Sequence, residues 1–182
     1  MNWLTLIKLF SDIIANITKI IEHRKPRDAK NAGKSQLPYE HLIVSASAKK
    51  LGIDNTPNDE QIKNLQQLNL KIYIPIKMAL ERMGRFEWLR ITSGFRSPAL
   101  NKAVGGSVDS DHMRGLALDL VCADNDWFFE TLKSLGLPYK QLIRESIGNS
   151  KWCHISLDLN DTPKRQNLEA YKDGEVIKYR PI

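Results

Sequence analysis

The sequence has few cysteines and no long apolar run. Cys122 and Cys153 are its only cysteines among 182 residues, which excludes a disulfide framework and zinc-finger spacing. One bridge between the two thiols stays open at this point, so cysteine usage does not define the redox compartment. The longest apolar segments contain charged residues, which argues against a membrane-spanning helix of about 20 apolar residues.

Acidic residues are fewer than basic ones, which gives a net charge of +6 and a pI of about 9.3. This charge suits an anionic partner such as nucleic acid, a membrane surface or a cell-wall polymer, and equally a solvated basic surface. No basic strand interleaved with aromatic residues and no known nucleic-acid module is found, so we expect no nucleic-acid partner. The length favours one ordinary domain with an appendage.

An apolar stripe near the N-terminus predicts an amphipathic helix, because its members alternate in steps of four and three. The stripe consists of Trp3, Ile7, Phe10, Ile14, Ile17 and Ile21. Charged residues interrupt it and no small-residue cleavage site follows, so neither a transmembrane helix nor a clear signal peptide is predicted. Three interpretations of residues 3–21 stay open: packing against a helix or partner, contact with a membrane surface, and a poor export signal or anchor.

The basic segment "HRKPRDAKNAGK" that follows is typical of a linker. We therefore divide the chain into a helix with its linker, residues 1–34, and one compact domain, residues 35–182. In that domain a long helix is predicted from Thr56 or Asn58 to Gly84, with a bend at Pro75. Two further helices are expected in "SPALNKAVGG" and "NDWFFETLKSLG", and strands in "EWLRITSG", "GLALDLVC", "QLIRES" and "KWCHISL". This order predicts an α+β fold with an antiparallel sheet packed with helices.

His112 and Asp119 lie in the stretch "SDHMRGLALDL", which predicts a loop, a turn and a strand. Alternation along the strand puts its leucines on one face and Asp119 on the other, beside the small residues Gly115 and Ala117. These small residues leave room above the carboxylate for a metal ion. A turn at Gly115 is needed because a continuous strand would carry His112 to the opposite face.

The stretch "KWCHISLD" follows the same logic, since it puts His154 on the polar face and Cys153 on the apolar face. Cys122 falls on the leucine face of the earlier strand. We therefore expect both thiols in the core, rather than in a bridge or on a metal. Two histidines and one carboxylate with an open fourth position form the ligand set of a catalytic zinc. The alternative is a surface histidine, a capped aspartate and a cross-strand histidine without a metal.

Three blocks of the sequence together resemble a known family. "SGFRSP", "SDHMRGLALD" and "WCHIS" are similar to the SGYRSP, S-x-H-x-x-G-x-A-x-D and W-x-H blocks of the family-fifteen zinc metallopeptidases, the D-alanyl-D-alanine carboxypeptidase and peptidoglycan endopeptidase group. "LGIDNTPNDEQIKNL" is similar to a subgroup often found in phages and their bacterial hosts. The resemblance implies a hedgehog/DD-peptidase-like zinc peptidase fold and a Zn2+ cofactor bound by His112, Asp119 and His154.

The resemblance also implies roles for two residues near the ligands. It gives Arg96 a catalytic and substrate-binding role as the fixed cation facing the scissile carbonyl or the substrate carboxylate, for which a guanidinium is well suited. The alternative for Arg96 is a surface ion pair. Ser110 matches the family serine two positions before the first ligand, which favours substrate or loop hydrogen bonding, with a serine turn as the alternative.

A general base is the remaining requirement of such a site. Some relatives carry an acid three residues before the last histidine, but this chain has Lys151 there. The subgroup instead shows a "QLI-x-E" strand before the W-x-H strand, and "QLIRE" provides Glu145. A hairpin at "IGNS" would bring Glu145 to the His154 strand, so Glu145 is the predicted base. Asp109 and Asp111 on the loop are the alternatives.

The resemblance implies a function: a zinc-dependent peptidase that hydrolyses peptide bonds in bacterial cell-wall peptidoglycan by attack of zinc-activated water. Carboxypeptidase and endopeptidase action both stay open, as do bacterial and phage or virion-associated origins, and the expected place of action is the cell wall. The alternative is a non-catalytic binding module on the same zinc fold. Arg96 and Glu145 beside the three ligands favour catalysis.

Overall fold

The computed structural model describes residues 38–182, and the predicted N-terminal helix and linker lie outside these residues. The described helices are α1 (Ala46–Leu51), α2 (Asp59–Leu68), α3 (Ile74–Arg82), α4 (Pro98–Ala103) and α5 (Asn125–Ser134). The strands are β1 (Arg90–Ser93), β2 (Ala117–Val121), β3 (Tyr139–Ile147), β4 (Ser150–Leu157), β5 (Gln166–Asp173) and β6 (Val176–Pro181). Short 3-10 turns occupy Glu40–Leu42, Phe86–Trp88 and Asp111–Arg114. Within residues 38–182, no helix combines the length and apolar character needed to cross a membrane.

The six strands form one mixed sheet in the order β1-β2-β4-β3-β5-β6. The predicted α+β class is confirmed, but the prediction of an antiparallel sheet is wrong for one pair, because β3 and β5 are parallel. The reason is the path of the chain after β4. Leu157 at the end of β4 pairs with Tyr139 at the start of β3, so the chain leaves β4 beside the start of β3. It then passes to the other side of β3 and runs along it in the same direction.

The predicted long helix is present as α2 and α3, joined by a π-helical turn at Asn69–Tyr73. It begins at the Asn58 cap, where the Asn58 and Gln61 side chains each accept a hydrogen bond from the other residue's backbone amide. The wide turn comes directly before Pro75, whose ring would clash with a carbonyl one regular helical turn earlier. The buried face of the segment consists of Leu65, Leu68, Ile72, Ile76 and Leu80.

One face of the sheet packs on this helical layer and on α5. Leu118 and Leu120 of β2 are fully buried there with Phe128 and Phe129 of α5. Cys122 and Cys153 join the same core as free thiols, as predicted. Because β2 alternates, its other face carries Asp119 towards an open cleft.

Candidate metal centre

Two neighbouring strands bring a carboxylate and an imidazole to the same point. Asp119 of β2 is directly opposite His154 of β4, so both side chains lie on the same face of the sheet. Their separation is 2.9 Å between Asp119 Oδ1 and His154 Nδ1. The adjacent Ala117 is fully buried and small, and it leaves this face free for the longer side chains.

His112 reaches the same point from a loop. It lies in the 3-10 turn Asp111–Arg114, which ends at Gly115 with a φ of +72°. This is the turn that the sequence predicts, and glycine is favoured there because other residues rarely adopt a positive φ. Helix α2 holds the turn from behind: Gln61 Nε2 donates to the Met113 carbonyl at 2.8 Å, and Asn64 Nδ2 donates to the Arg114 carbonyl at 2.9 Å.

The tautomer of His112 follows from its second partner. His112 Nδ1 lies 2.6 Å from the Gly94 carbonyl oxygen, which can only accept, so Nδ1 carries the proton. His112 Nε2 therefore presents a lone pair, and it lies 3.2 Å from Asp119 Oδ1 and 3.2 Å from His154 Nδ1. His112 Nε2 and Asp119 Oδ1 are therefore two hydrogen-bond acceptors with no proton between them. A cation placed between them would be attracted to both lone pairs.

The spacing of the three atoms also fits a tetrahedral metal. Ligands about 2.0–2.1 Å from a tetrahedral zinc are roughly 3.3 Å apart from each other. The three separations of 2.9, 3.2 and 3.2 Å are close to this value. His112, Asp119 and His154 thus form a group that could hold a metal ion.

Arg96 contacts Asp119 on the side away from the two histidines. Its Nη2 donates to Asp119 Oδ2 at 2.9 Å, its Nε donates to Ser93 Oγ at 2.9 Å, and its Nη1 lies 3.4 Å from Asn101 Oδ1. The guanidinium therefore turns the second carboxylate oxygen of Asp119 away from the point where the three ligand atoms meet. Arg96 also lines the cleft, and its role towards substrate stays a prediction.

The charges of the group are strongly coupled. Burial raises the pKa of the Asp119 carboxyl, but the neighbouring His154, whose Nδ1 lies 2.9 Å from Oδ1, holds this pKa below its usual range. Burial lowers the pKa of His112, which keeps that ring neutral. Burial also acts to lower the pKa of His154, yet the hydrogen bond and charge of Asp119 raise it overall. An ionised carboxylate beside a neutral imidazole is the state in which both can bind a metal.

Glu145 lies on β3 and faces the same cleft. Ile143 is opposite His154 and Glu145 is opposite Trp152, so the predicted hairpin is present and Glu145 shares the face of the ligands. Burial raises the pKa of its carboxyl to about 7, against the opposing effect of the His154 charge. A carboxyl with this pKa can accept and release protons near neutral pH.

The two alternative acids have different surroundings. Asp111 is 6% exposed and forms ion pairs with Arg114 and Lys140, and the latter pair is 3.0 Å long. Burial acts to raise its pKa, but these cations lower it overall. The carboxylate is therefore ionised, and its charge is already balanced by the two ion pairs. Asp109 is exposed at the edge of the cleft. Ser110 caps the 3-10 turn by accepting from the His112 amide at 3.3 Å, and it also lines the cleft.

Several residues of the site are missing from the sequence-based prediction. Ser93, Gly94 and Asn101 hold Arg96 or His112, yet they belong to blocks in which only Arg96 was singled out. Tyr179 of β6 lines the far side of the cleft. The dipeptide Asp173–Gly174 is a strong signal for a hairpin turn and could have revealed the strand that carries this tyrosine.

The cleft has a volume of about 490 Å³ and is open to solvent. An α+β fold with two imidazoles and a carboxylate at the base of such a cleft defines a candidate metal-dependent hydrolase. The chain belongs to the Peptidase M15 family, whose match covers residues 35–156. It is therefore a metallopeptidase, a hydrolase acting on peptide bonds. No curated protein matches this chain.

Proposed function

We propose that this metallopeptidase uses zinc, bound by His112, Asp119 and His154, to cleave peptide bonds in bacterial peptidoglycan. The observation that carries the proposal is the convergence of three ligand atoms, two imidazole nitrogens and one carboxylate oxygen, within 3.2 Å of one another. Three ligands of this type leave a fourth position open, which is typical of catalytic rather than structural zinc. When bound, zinc acts as a Lewis acid that acidifies water and polarises a carbonyl group.

The outer partners of the ligands support this role. The Gly94 carbonyl fixes the ring of His112, and Arg96 fixes the carboxylate of Asp119. Such partners orient metal ligands and typically change metal affinity by about 10- to 100-fold when removed. The chain thus supplies both the ligands and the groups that hold them in position.

Glu145 is the proposed proton carrier. In the hydrolysis, a water oxygen forms a bond to the carbonyl carbon of the peptide and the carbon–nitrogen bond breaks. Glu145 takes one proton from the attacking water and delivers it to the leaving nitrogen, which departs as an amine; the other product is a carboxylic acid, whose proton passes to the amine or to solvent. Its position beside the ligand strand and its pKa of about 7 support this assignment.

The choice of peptidoglycan rests on the sequence blocks and on charge. The three blocks resemble those of cell-wall peptidases. A net charge of +6 would favour association with an anionic wall. We accordingly propose the bacterial cell wall as the place of action.

The test combines zinc content with release of wall peptides. Purified protein is expected to bind one zinc per chain and to release fragments from purified muropeptides, identified by mass spectrometry. Glu145→Gln should lower kcat by about 10²- to 10⁴-fold, the usual contribution of a general base, with zinc content unchanged. Glu130→Gln on the exposed face of α5 is the matched control and should behave as wild type.

Two results would contradict the proposal. Zinc-loaded protein that releases no fragment would favour a binding module over an enzyme. Full activity in Glu145→Gln would remove Glu145 from the mechanism and leave Asp109 as the next acid to test.

A further inference from the structure

The C-terminal hairpin, β5 and β6, forms one wall of the cleft. Leu168, Ile177 and Tyr179 line it from this side. The family match ends at residue 156, so the hairpin lies beyond the matched residues. Its position is set by the parallel pairing of β5 with β3, the strand that carries Glu145.

The strand register puts Tyr179 in line with Glu145. Trp152, Glu145, Ala170 and Tyr179 are neighbours in a single row across β4, β3, β5 and β6. Residues opposite one another project from the same face, so all of them face the cleft. Two strand spacings, about 10 Å, separate the backbones at Glu145 and Tyr179. Ala170 between them is small and 2% exposed, which leaves room for the phenol ring to extend over it towards Glu145.

The hydroxyl of Tyr179 is available to a ligand. The side chain is half-exposed, and no residue in the described range 38–182 hydrogen-bonds to this hydroxyl. Burial and the charges of Glu145 and Asp119 raise its pKa, so the phenol keeps its proton and can donate it. Arg96 differs, because each of its guanidinium nitrogens already donates to Ser93, Asn101 or Asp119.

We propose that Tyr179 is a substrate-binding residue: its phenol O–H donates a hydrogen bond to an oxygen of the bound peptide beside the bond that is cleaved. Its ring, with Ile177 and Leu168, forms an apolar wall for the adjacent aliphatic part of that peptide. The inference rests on the proposed function, and it assigns to the hairpin the task of holding the substrate rather than the metal.

The test compares two tyrosines of the same hairpin. Tyr179→Phe removes only the hydroxyl and keeps the apolar wall. It should raise KM by about 3- to 10-fold with little change in kcat. The reason is that a neutral hydrogen bond made equally in the substrate complex and in the transition state contributes to binding and not to the chemical step. Tyr171→Phe is the matched control. Tyr171 lies on β5 opposite Lys178, on the other face of the sheet under Arg180, and its substitution should leave KM unchanged.

A binding measurement separates this inference from the proposed function. Zinc-loaded Glu145→Gln protein is titrated by calorimetry with a synthetic stem pentapeptide ending in D-Ala-D-Ala, with and without Tyr179→Phe. The double variant should bind about 3- to 10-fold more weakly, at the same zinc content and unfolding temperature. The tyrosine proposal is overturned if wild type cleaves muropeptides and Tyr179→Phe changes neither the KM of the active enzyme nor the Kd of Glu145→Gln protein. A lower kcat at unchanged KM overturns it too. If wild type cleaves nothing, the proposed function fails, and equal Kd values would then overturn the inference separately.

Discussion

At the scale of single residues, two of the three candidate ligands are oriented by a second contact. His112 is held through Nδ1 by the Gly94 carbonyl, and Asp119 is held through Oδ2 by Arg96. These contacts leave one lone pair of each residue directed at the common point. The fold therefore orients His112 and Asp119 without a metal ion.

Glu145 gives a pH dependence that can be measured without metal. Its pKa is 4.5 in an unfolded chain and about 7 in the fold, because burial penalises the charged form. The folded state thus holds this proton more tightly, and the stability that results is fully present below pH 4.5 and is lost as pH rises through about 7. In chelator-treated protein, wild type should lose on the order of 2 kcal/mol more than Glu145→Gln across this window.

The measurement is the free energy of unfolding by urea at pH values from about 4.5 to 8. Subtracting the Glu145→Gln curve removes the contribution of the other titrating groups of the site. Glu130→Gln, altered at an exposed position, should follow wild type. Parallel wild-type and Glu145→Gln curves would show that Glu145 is not buried as described.

Local patterns predicted which faces carry the three candidate ligands, and the resemblance to the zinc metallopeptidases singled them out as metal ligands. Alternation placed Asp119 and His154 away from the leucines and the cysteines, and Gly115 marked the turn that returns His112. The partners Gly94 and Ser93 could not be predicted in this way. Their contacts with His112 and Arg96 depend on loops packing together in three dimensions, and no residue spacing encodes that packing.

At the scale of elements, the end of β1 packs tightly against the 3-10 turn Glu40–Leu42. A Cβ atom on Gly94 would lie 2.0 Å from the Leu42 carbonyl oxygen and 2.9 Å from its carbonyl carbon. The next amide, of Phe95, donates to the same Leu42 oxygen at 2.8 Å. Any side chain at position 94 would therefore force the Gly94 backbone away from Leu42. The Gly94 carbonyl, which orients His112, would move with it.

We expect Gly94→Ala to weaken zinc binding by about 10- to 100-fold, because the carbonyl that fixes His112 would move. It should also destabilise the domain by about 1–3 kcal/mol through overpacking. Competitive titration against a chelator and thermal unfolding measure the two effects.

Gly84→Ala is the control for a general loss of stability. Gly84 follows α3 with a φ of +64° and has open space around its Cβ position. Alanine there costs about 1–2 kcal/mol of backbone strain. Zinc affinity should be unchanged in this variant. If Gly94→Ala and Gly84→Ala bind zinc with the same affinity, the prediction that Gly94 supports metal binding is wrong.

The elements themselves differ in how far the sequence predicts them. The helix from Asn58 and the strands β1 to β4 follow from capping residues, apolar periodicity and alternation. The hairpin β5–β6 was missed because its alternation is weak and its strands are polar, although Asp173–Gly174 marks its turn. The parallel β3–β5 pair depends on the route of residues 158–165, which local patterns do not define.

At the scale of the whole molecule, the core residues and the candidate ligands described above all lie within residues 38–182. We predict that deletion of residues 1–33 leaves a folded domain that binds one zinc per chain. Circular dichroism and metal analysis of the truncated chain provide the check. A truncated chain that does not fold, or folds without binding zinc, would show that the segment is part of the domain.

The distribution of the ligands along the chain links metal uptake to tertiary structure. Asp119 is 7 positions from His112 and 35 from His154, and the histidines of the sequence, at positions 23, 41, 112 and 154, form no closely spaced pair. The complete ligand set therefore comes together only in the folded chain, and zinc held by the proposed site would bind the native form more tightly than an unfolded chain. Free zinc at 100 times its Kd would add at most about 2.7 kcal/mol to the folding free energy. Zinc availability in the surroundings would then set how long this protein survives heat and proteolysis, as well as whether it is active.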